Sequence, residues 1–185
     1  KLNFWGLQRF DKKKIINFVY PCLVDQNEII SKVDGVFNGI VVESDFCKKS
    51  FFQGEGAGSL PTATSVISDI LSTIKLNENS PKEKKKSNYK MSSVENRFGS
   101  YYLRFTTEDK PGVISGIANE FKKNNISMKS MLQKESKNKN SRSATIVITT
   151  HDCNEKNMIL ALAKINKMKF IKKKTIYYRI ESFIS

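Results

Sequence analysis

Tyr101–Phe121, YYLRFTTEDKPGVISGIANEF, changes hydrophobic period part-way along. Tyr101, Leu103 and Phe105 alternate with Tyr102, Arg104 and Thr106, the two-residue period of a strand with one buried face. Ile114, Ile117, Ala118 and Phe121 then recur at helical spacing and predict one apolar helix face. Between the two, Asp109 is placed to cap the helix and Pro111 suits its first turn, where a missing N–H costs nothing. Asn124 and Asn125 end it. Further on, Ile126, Met128 and Leu132 predict a second strand, Lys134 to Ser141 a polar hairpin loop, and Ala144, Ile146 and Ile148 a third strand. A second helix from about Asn154 is expected to bury Met158, Ile159, Leu162, Ala163 and Ile165. The last strand, Phe170 to Ile180, is expected to hold Phe170, Ile176, Tyr178 and Ile180 on one side. The order is β-α-β-β-α-β, the split βαβ or ferredoxin-like arrangement.

Upstream, residues 77–97 mix Asn, Ser and Lys with almost no apolar content and read as a linker. Before it stands Phe51–Ile74, FFQGEGAGSLPTATSVISDILSTI, in which Gly54, Gly56 and Gly58 alternate with larger residues and run directly into a helix. Pro61 suits its first turn, and Val66, Ile67, Ile70, Leu71 and Ile74 predict one buried face. A bare backbone next to the N–H groups of a helix start suits a phosphate, a carboxylate or a cofactor edge, and equally a tight turn with no ligand. Residues 1–10 and Ile15–Val24 read as strands, with Pro21 demoting the second towards an edge or a bend. Glu28–Lys32 predicts a short helix or turn, Val33–Glu43 a third apolar run containing Gly35 and Gly39, and Ser50–Gln53 a short strand delivering the chain to the glycines. This first block is an incomplete α/β layer with too few helices to cover a sheet by itself.

The chain has 185 residues and a net charge of +14. The excess sits in 98–185, in Lys-rich loops and strand ends interleaved with Asn and Ser rather than with aromatics, which argues against a specific nucleic-acid surface. No apolar run reaches membrane-spanning length, and the opening residues lack the features of a secretion signal. Cys22, Cys47 and Cys153 form no CxxC pair, which argues against a disulfide framework or a thiolate metal site and for reduced, part-buried cysteines in a cytoplasmic protein. His151, the only histidine, reads as a residue of the turn before the second helix.

Two stretches resemble a known family. SKVDGVFNGIVVESD followed by FFQGEGAGSLPTATSVISD, within residues 31–74, resembles the C-terminal part of the catalytic region of homoserine dehydrogenase. Residues 98–182, with YYLRFTTEDKPGVISGIANEF, NNISMKSMLQ and TTHDCNE, resemble the ACT regulatory domain that follows it in bacterial enzymes. The resemblance implies an α/β (α+β) chain in three parts: 1–76 from the catalytic and dimerisation region in a partial mixed sheet, the linker 77–97, and a ferredoxin-like βαββαβ ACT domain at 98–182. It implies an NAD- or NADP-dependent oxidoreductase interconverting L-aspartate 4-semialdehyde and L-homoserine, on the route to threonine and methionine, and working as a homo-oligomer. It places Gly58 against the cofactor, with Gly56 and Gly54 shaping the turn. It also implies a small amino-acid effector, L-threonine, held by Asp109, Gly112, Val113, Asn125 and Ile126 between paired domains. Neither the family's glycine-rich dinucleotide fingerprint nor its catalytic lysine and acids can be matched to this chain, so no catalytic residue is assigned in it. Glu55 stands where relatives often carry a basic residue, which favours close backbone contact over phosphate binding. A free-standing amino-acid-binding protein is the alternative reading.

Overall fold

The computed structural model describes residues 1–11, 13–76, 88–135 and 143–182. Most of the linker and most of the polar hairpin loop expected at Lys134–Ser141 lie outside the described residues. The chain divides into two compact units, one formed by Lys1–Val24 with the residues from Tyr89 onward, the other by Asp25–Asn88.

The first unit is built on a sheet. Its strands are β1 (Leu2–Asp11), β2 (Lys14–Val24), β5 (Lys90–Met91), β6 (Phe98–Glu108), β7 (Met128–Glu135), β8 (Ser143–Thr150), β9 (Cys153–Asn154) and β10 (Ile171–Glu181), with helices α2 (Val113–Lys123) and α3 (Glu155–Ile165). The second unit holds β3 (Phe37–Ser44), β4 (Lys48–Glu55) and α1 (Ser59–Leu76).

In the first unit the strand order is β1-β2-β10-β6-β8-β7. From β6 onward the chain runs β6-α2-β7-β8-α3-β10, and β10-β6-β8-β7 is the ferredoxin-like sheet that the sequence predicts. The alternation of β6 and β8 puts Tyr101, Leu103, Phe105, Ile146 and Ile148 under the helices, where they meet Val113, Ile117, Phe121, Met158, Leu162 and Ile165 in one core. The sheet also takes in residues that the sequence groups with the first block. β2 runs parallel to the end of β10, pairing Cys22 with Arg179 and Val24 with Glu181, and β1 lies antiparallel along the whole of β2. Pro21 therefore does not mark a sheet edge: it pairs with Phe4 well inside the ladder.

Four local expectations are corrected. Helix α2 begins at Val113, with Gly112 as its N-cap in a left-handed conformation (φ 89°); Pro111 lies before the helix and Asp109 does not cap it. In α3 the inner apolar residues are Met158, Ala161, Leu162 and Ile165, while Ala163 and Ile159 face outward. Irregular register between Ile171 and Ile176 shifts the phase of β10, so Tyr177 reaches the core and Ile176 is exposed. Met128 and Leu132 lie exposed on β7, an edge strand, with Ile126 alone of that set buried.

In the second unit, β3 and β4 form an antiparallel hairpin, preceded by a 3-10 turn at Ile29–Lys32. Gly39 is forced by close packing: a Cβ there would lie 2.6 Å from Val33 Cγ2 and 3.1 Å from Ile30 Cδ1. The buried face expected of α1 is not buried. Val66, Ile67, Ile70, Leu71 and Ile74 are each more than half exposed. Spacing of apolar residues reports that a helix is built to be covered and says nothing about what covers it. No helix among the described residues is long and apolar enough to cross a membrane.

Candidate functional site

The three glycines before α1 stand in three different surroundings. Gly54 lies within β4, opposite Asn38, in open space. Gly56 donates its N–H to the Val36 carbonyl (2.9 Å), and a Cβ on it would lie 1.7 Å from Nδ2 of Asn38. Gly58 alone of the three has a positive φ, +121°, which disfavours any residue with a Cβ. Its carbonyl then accepts from both the N–H (3.3 Å) and the hydroxyl (2.7 Å) of Thr62, closing the first turn of α1. Pro61 sits in that first turn, as its missing N–H predicts. The result is a stretch of bare backbone on the approach to an 18-residue helix. Glu55 is exposed at its edge and would repel a phosphate, so the loop fits an uncharged edge of a ligand better than an anion.

The residues expected around an amino-acid effector divide between two cavities of the first unit. Asp109, Gly112 and Val113 line one of about 120 Å³ at the turn between β6 and α2, where Asp109 accepts a hydrogen bond from Nε2 of Gln133 (3.4 Å). Asn125 and Ile126 line another, open and of about 640 Å³, with Phe121 and Ser127. A single copy does not bring the two groups together. Asn125 has a left-handed backbone (φ 54°) and donates its N–H to Lys122 O (3.2 Å), while Ile126 donates to Phe121 O (2.9 Å). This is a Schellman ending with Asn in the position that glycine usually takes. Both backbone donors are used within the fold, so neither N–H is left to bind a ligand carboxylate. His151 donates its backbone N–H to Ser127 O (2.9 Å) in the turn before α3.

A buried polar cluster in the first unit has no counterpart in the sequence reading. Nη2 and Nε of Arg97 donate to Oε1 of Glu181 at 2.7 and 2.9 Å, and Nη2 also reaches the Ile180 carbonyl (3.1 Å). The Tyr20 hydroxyl donates to the same carboxylate oxygen, and Arg9 approaches the other at 3.2 Å. Glu155 accepts from the Tyr101 hydroxyl (2.6 Å), from Nε of Arg179 (3.1 Å) and from Nη2 of Arg179. Arg97 and Glu181 are about 4% exposed and Glu155 is fully buried. Burial works against the Arg97 charge, and Glu181, Tyr20 and Tyr101 around it together more than offset this, so the pKa of the guanidinium is raised. The cluster ties β2, β6, β10 and α3 into one body. Its sequence signal is phase: Glu155 falls on the stripe of Met158, Leu162 and Ile165, a position where a charge must find a partner inside.

The same region predicts loss of stability in alkali. Burial, reinforced by nearby Glu181, pushes the Cys22 thiol up to about 12, and burial pushes Cys153 up to about 11. Burial, together with the carboxylate to which each donates, also raises the Tyr20 and Tyr101 hydroxyls. In the unfolded chain the thiols ionise near 9.0, so above that pH the unfolded state holds fewer protons than the folded state. The urea midpoint should be level from about pH 7 to 9 and fall steadily between about pH 9 and 11. A midpoint that holds through that range would contradict the burial of these groups.

Comparison with known proteins agrees with the two-part sequence. Residues 11–71 match the family model for homoserine dehydrogenase, and residues 101–170 match that for the ACT domain. The chain thus joins a segment of a dehydrogenase to a second, small domain. Homoserine dehydrogenase from Neisseria gonorrhoeae is 29% identical over 98% of this chain and 43% of its own length; that from Mycobacterium leprae is 36% identical over 72% of this chain and 31% of its own. The crystal structure of a homoserine dehydrogenase from Thiobacillus denitrificans superposes with a TM-score of 0.84 at 28% identity, covering 98% of this chain and 42% of that one. The chain therefore belongs with the homoserine dehydrogenases as their C-terminal part, catalytic-region segment and ACT domain together, and it spans less than half the length of the relatives it matches.

Proposed function

We propose that this chain is the C-terminal portion of an NAD- or NADP-dependent homoserine dehydrogenase that interconverts L-aspartate 4-semialdehyde and L-homoserine. The observation that carries the reading is Gly58: a positive φ at the mouth of α1, with bare backbone before it, in the segment that matches the dehydrogenase family. Bound there, the cofactor supplies the hydride exchange. The chain's own part is to lay the Gly54–Gly58 backbone against the cofactor edge and to exclude water from that side, with Gly58 in contact and Gly56 and Gly54 shaping the approach. The exposed stripe of α1 supports a role inside a larger assembly, since a helix face of five apolar side chains is suited to burial.

Feedback by a small amino acid, L-threonine, at Asp109, Gly112, Val113, Asn125 and Ile126 is the regulatory half of the reading. The separation of these residues into two cavities of one copy supports a ligand held between two copies, and so a homo-oligomer. The partners are those of a cytoplasmic biosynthetic enzyme. A free-standing amino-acid sensor is supported by one observation, the first unit's self-contained core.

The isolated chain should show no NAD(P)-linked turnover of homoserine. Supplying the cofactor-binding part of such an enzyme in the same polypeptide should restore it. Turnover by these residues alone, or none from the joined protein, would refute the assignment. Calorimetric titration of the chain with threonine tests the regulatory half.

A further inference from the structure

We infer that Asn38 is a positioning residue of the glycine loop, packed into the space that Gly56 leaves, and that it governs how tightly the loop holds a dinucleotide edge. The inference rests on the reading of that loop as one wall of a cofactor site. Gly56 has no positive φ, so no backbone requirement explains it. A side chain lies against it instead: a Cβ at 56 would come within 1.7 Å of Nδ2 and 2.6 Å of Cγ of Asn38.

The ladder shows how this arises. Asn38 on β3 pairs with Gly54 on β4, and Gly56, two residues on, falls on the same face at the diagonal position. Gly56 leaves that face clear, and the Asn38 carboxamide lies over it, while Gly54 stands in open space. The Gly56 N–H is fixed to Val36 O at 2.9 Å, two residues from Asn38, so the backbone is anchored from behind while the side chain covers it in front. The carboxamide makes no hydrogen bond with any described residue, so its hold on Gly56 is by shape. Glycine-rich backbone has more freedom to lose than any other, and a ligand that binds such a loop must order it. A side chain that already fills the space over Gly56 does that ordering beforehand, and Gly58 is presented in one place.

Two measurements decide this. In the 185-residue chain, Asn38→Ala should speed hydrogen exchange of the Gly56 amide about tenfold, while Asn38→Leu, close in size and without the amide, should keep its protection. Unchanged protection in Asn38→Ala overturns the proposal, whatever the loop binds. In the enzyme that carries this segment together with its cofactor-binding part, Asn38→Ala and Gly56→Ala should each raise KM for NAD(P)H about tenfold with kcat within about twofold. The double variant should cost clearly less than the product of the two, because neither side chain then meets the other. Equal loss in kcat with KM unchanged, or strictly multiplicative effects, overturns it. If the unsubstituted enzyme neither binds nor turns over NAD(P)H, the cofactor reading falls, and the exchange measurement still judges Asn38.

Discussion

Glu181→Ala should lower the stability of the sheet unit by about 3–5 kcal/mol, the usual cost of removing one partner from a buried, hydrogen-bonded ion pair. Arg97 would keep the Ile180 carbonyl and the Tyr20 hydroxyl, but the nearest carboxylate left would be Glu155, with its Oε2 3.8 Å from Nη1. A guanidinium 4% exposed cannot recover that loss from water. Replacing both ends with apolar residues of similar size, Arg97→Met with Glu181→Leu, should restore most of the loss, since a whole pair is often dispensable where half a pair is not. Urea denaturation of the three variants checks this. A single variant within about 1 kcal/mol of the parent would mean that the pair is solvated and the cluster does not close the fold.

Removing residues 1–24 should do still more damage. The truncation takes Tyr20, Cys22 and Val24 out of the buried set, strips Tyr20 and Arg9 from Glu181, and leaves the end of β10 without its parallel neighbour. Three buried side chains at about 1.5–3 kcal/mol each already approach the whole stability of a small domain. A chain of residues 88–185 should therefore melt well below the parent or lose its cooperative transition. A chain in which 25–87 are replaced by a short Gly/Ser linker should keep it. Thermal melts followed by near-ultraviolet circular dichroism separate the two. If residues 98–182 were sufficient, as the partition into 1–76, 77–97 and 98–182 implies, the truncation would cost little.

The contrast between these two expectations marks where sequence reading runs out. The ferredoxin-like order was readable because each element carries its own period: Tyr101, Leu103 and Phe105 at two, Ile117 and Phe121 at four. The parallel pairing of Cys22 with Arg179 is a contact between opposite ends of the chain, and no local pattern records a partner that far away. Period also fails where the backbone departs from regularity. The bulges near Lys173 shift β10, so Tyr177, not Ile176, turns inward. Gly112 takes the cap position by adopting φ 89°, a choice that Asp109 and Pro111 obscure in the sequence. At the glycine loop the triplet and Pro61 were legible as the approach to a helix. The reason for Gly56 was not, because it lies in Asn38, on the other strand of the hairpin.

The exposed stripe on α1 also governs how copies of the chain behave towards one another. Five apolar side chains on one helix, each more than half open to water, form an adhesive surface on a particle of net charge +14. At low ionic strength like charge keeps such particles apart. Added salt shortens the range of that repulsion to a few ångströms and leaves the apolar attraction in place. The chain is thus poised to self-associate as salt rises, the reverse of an assembly held by ion pairs.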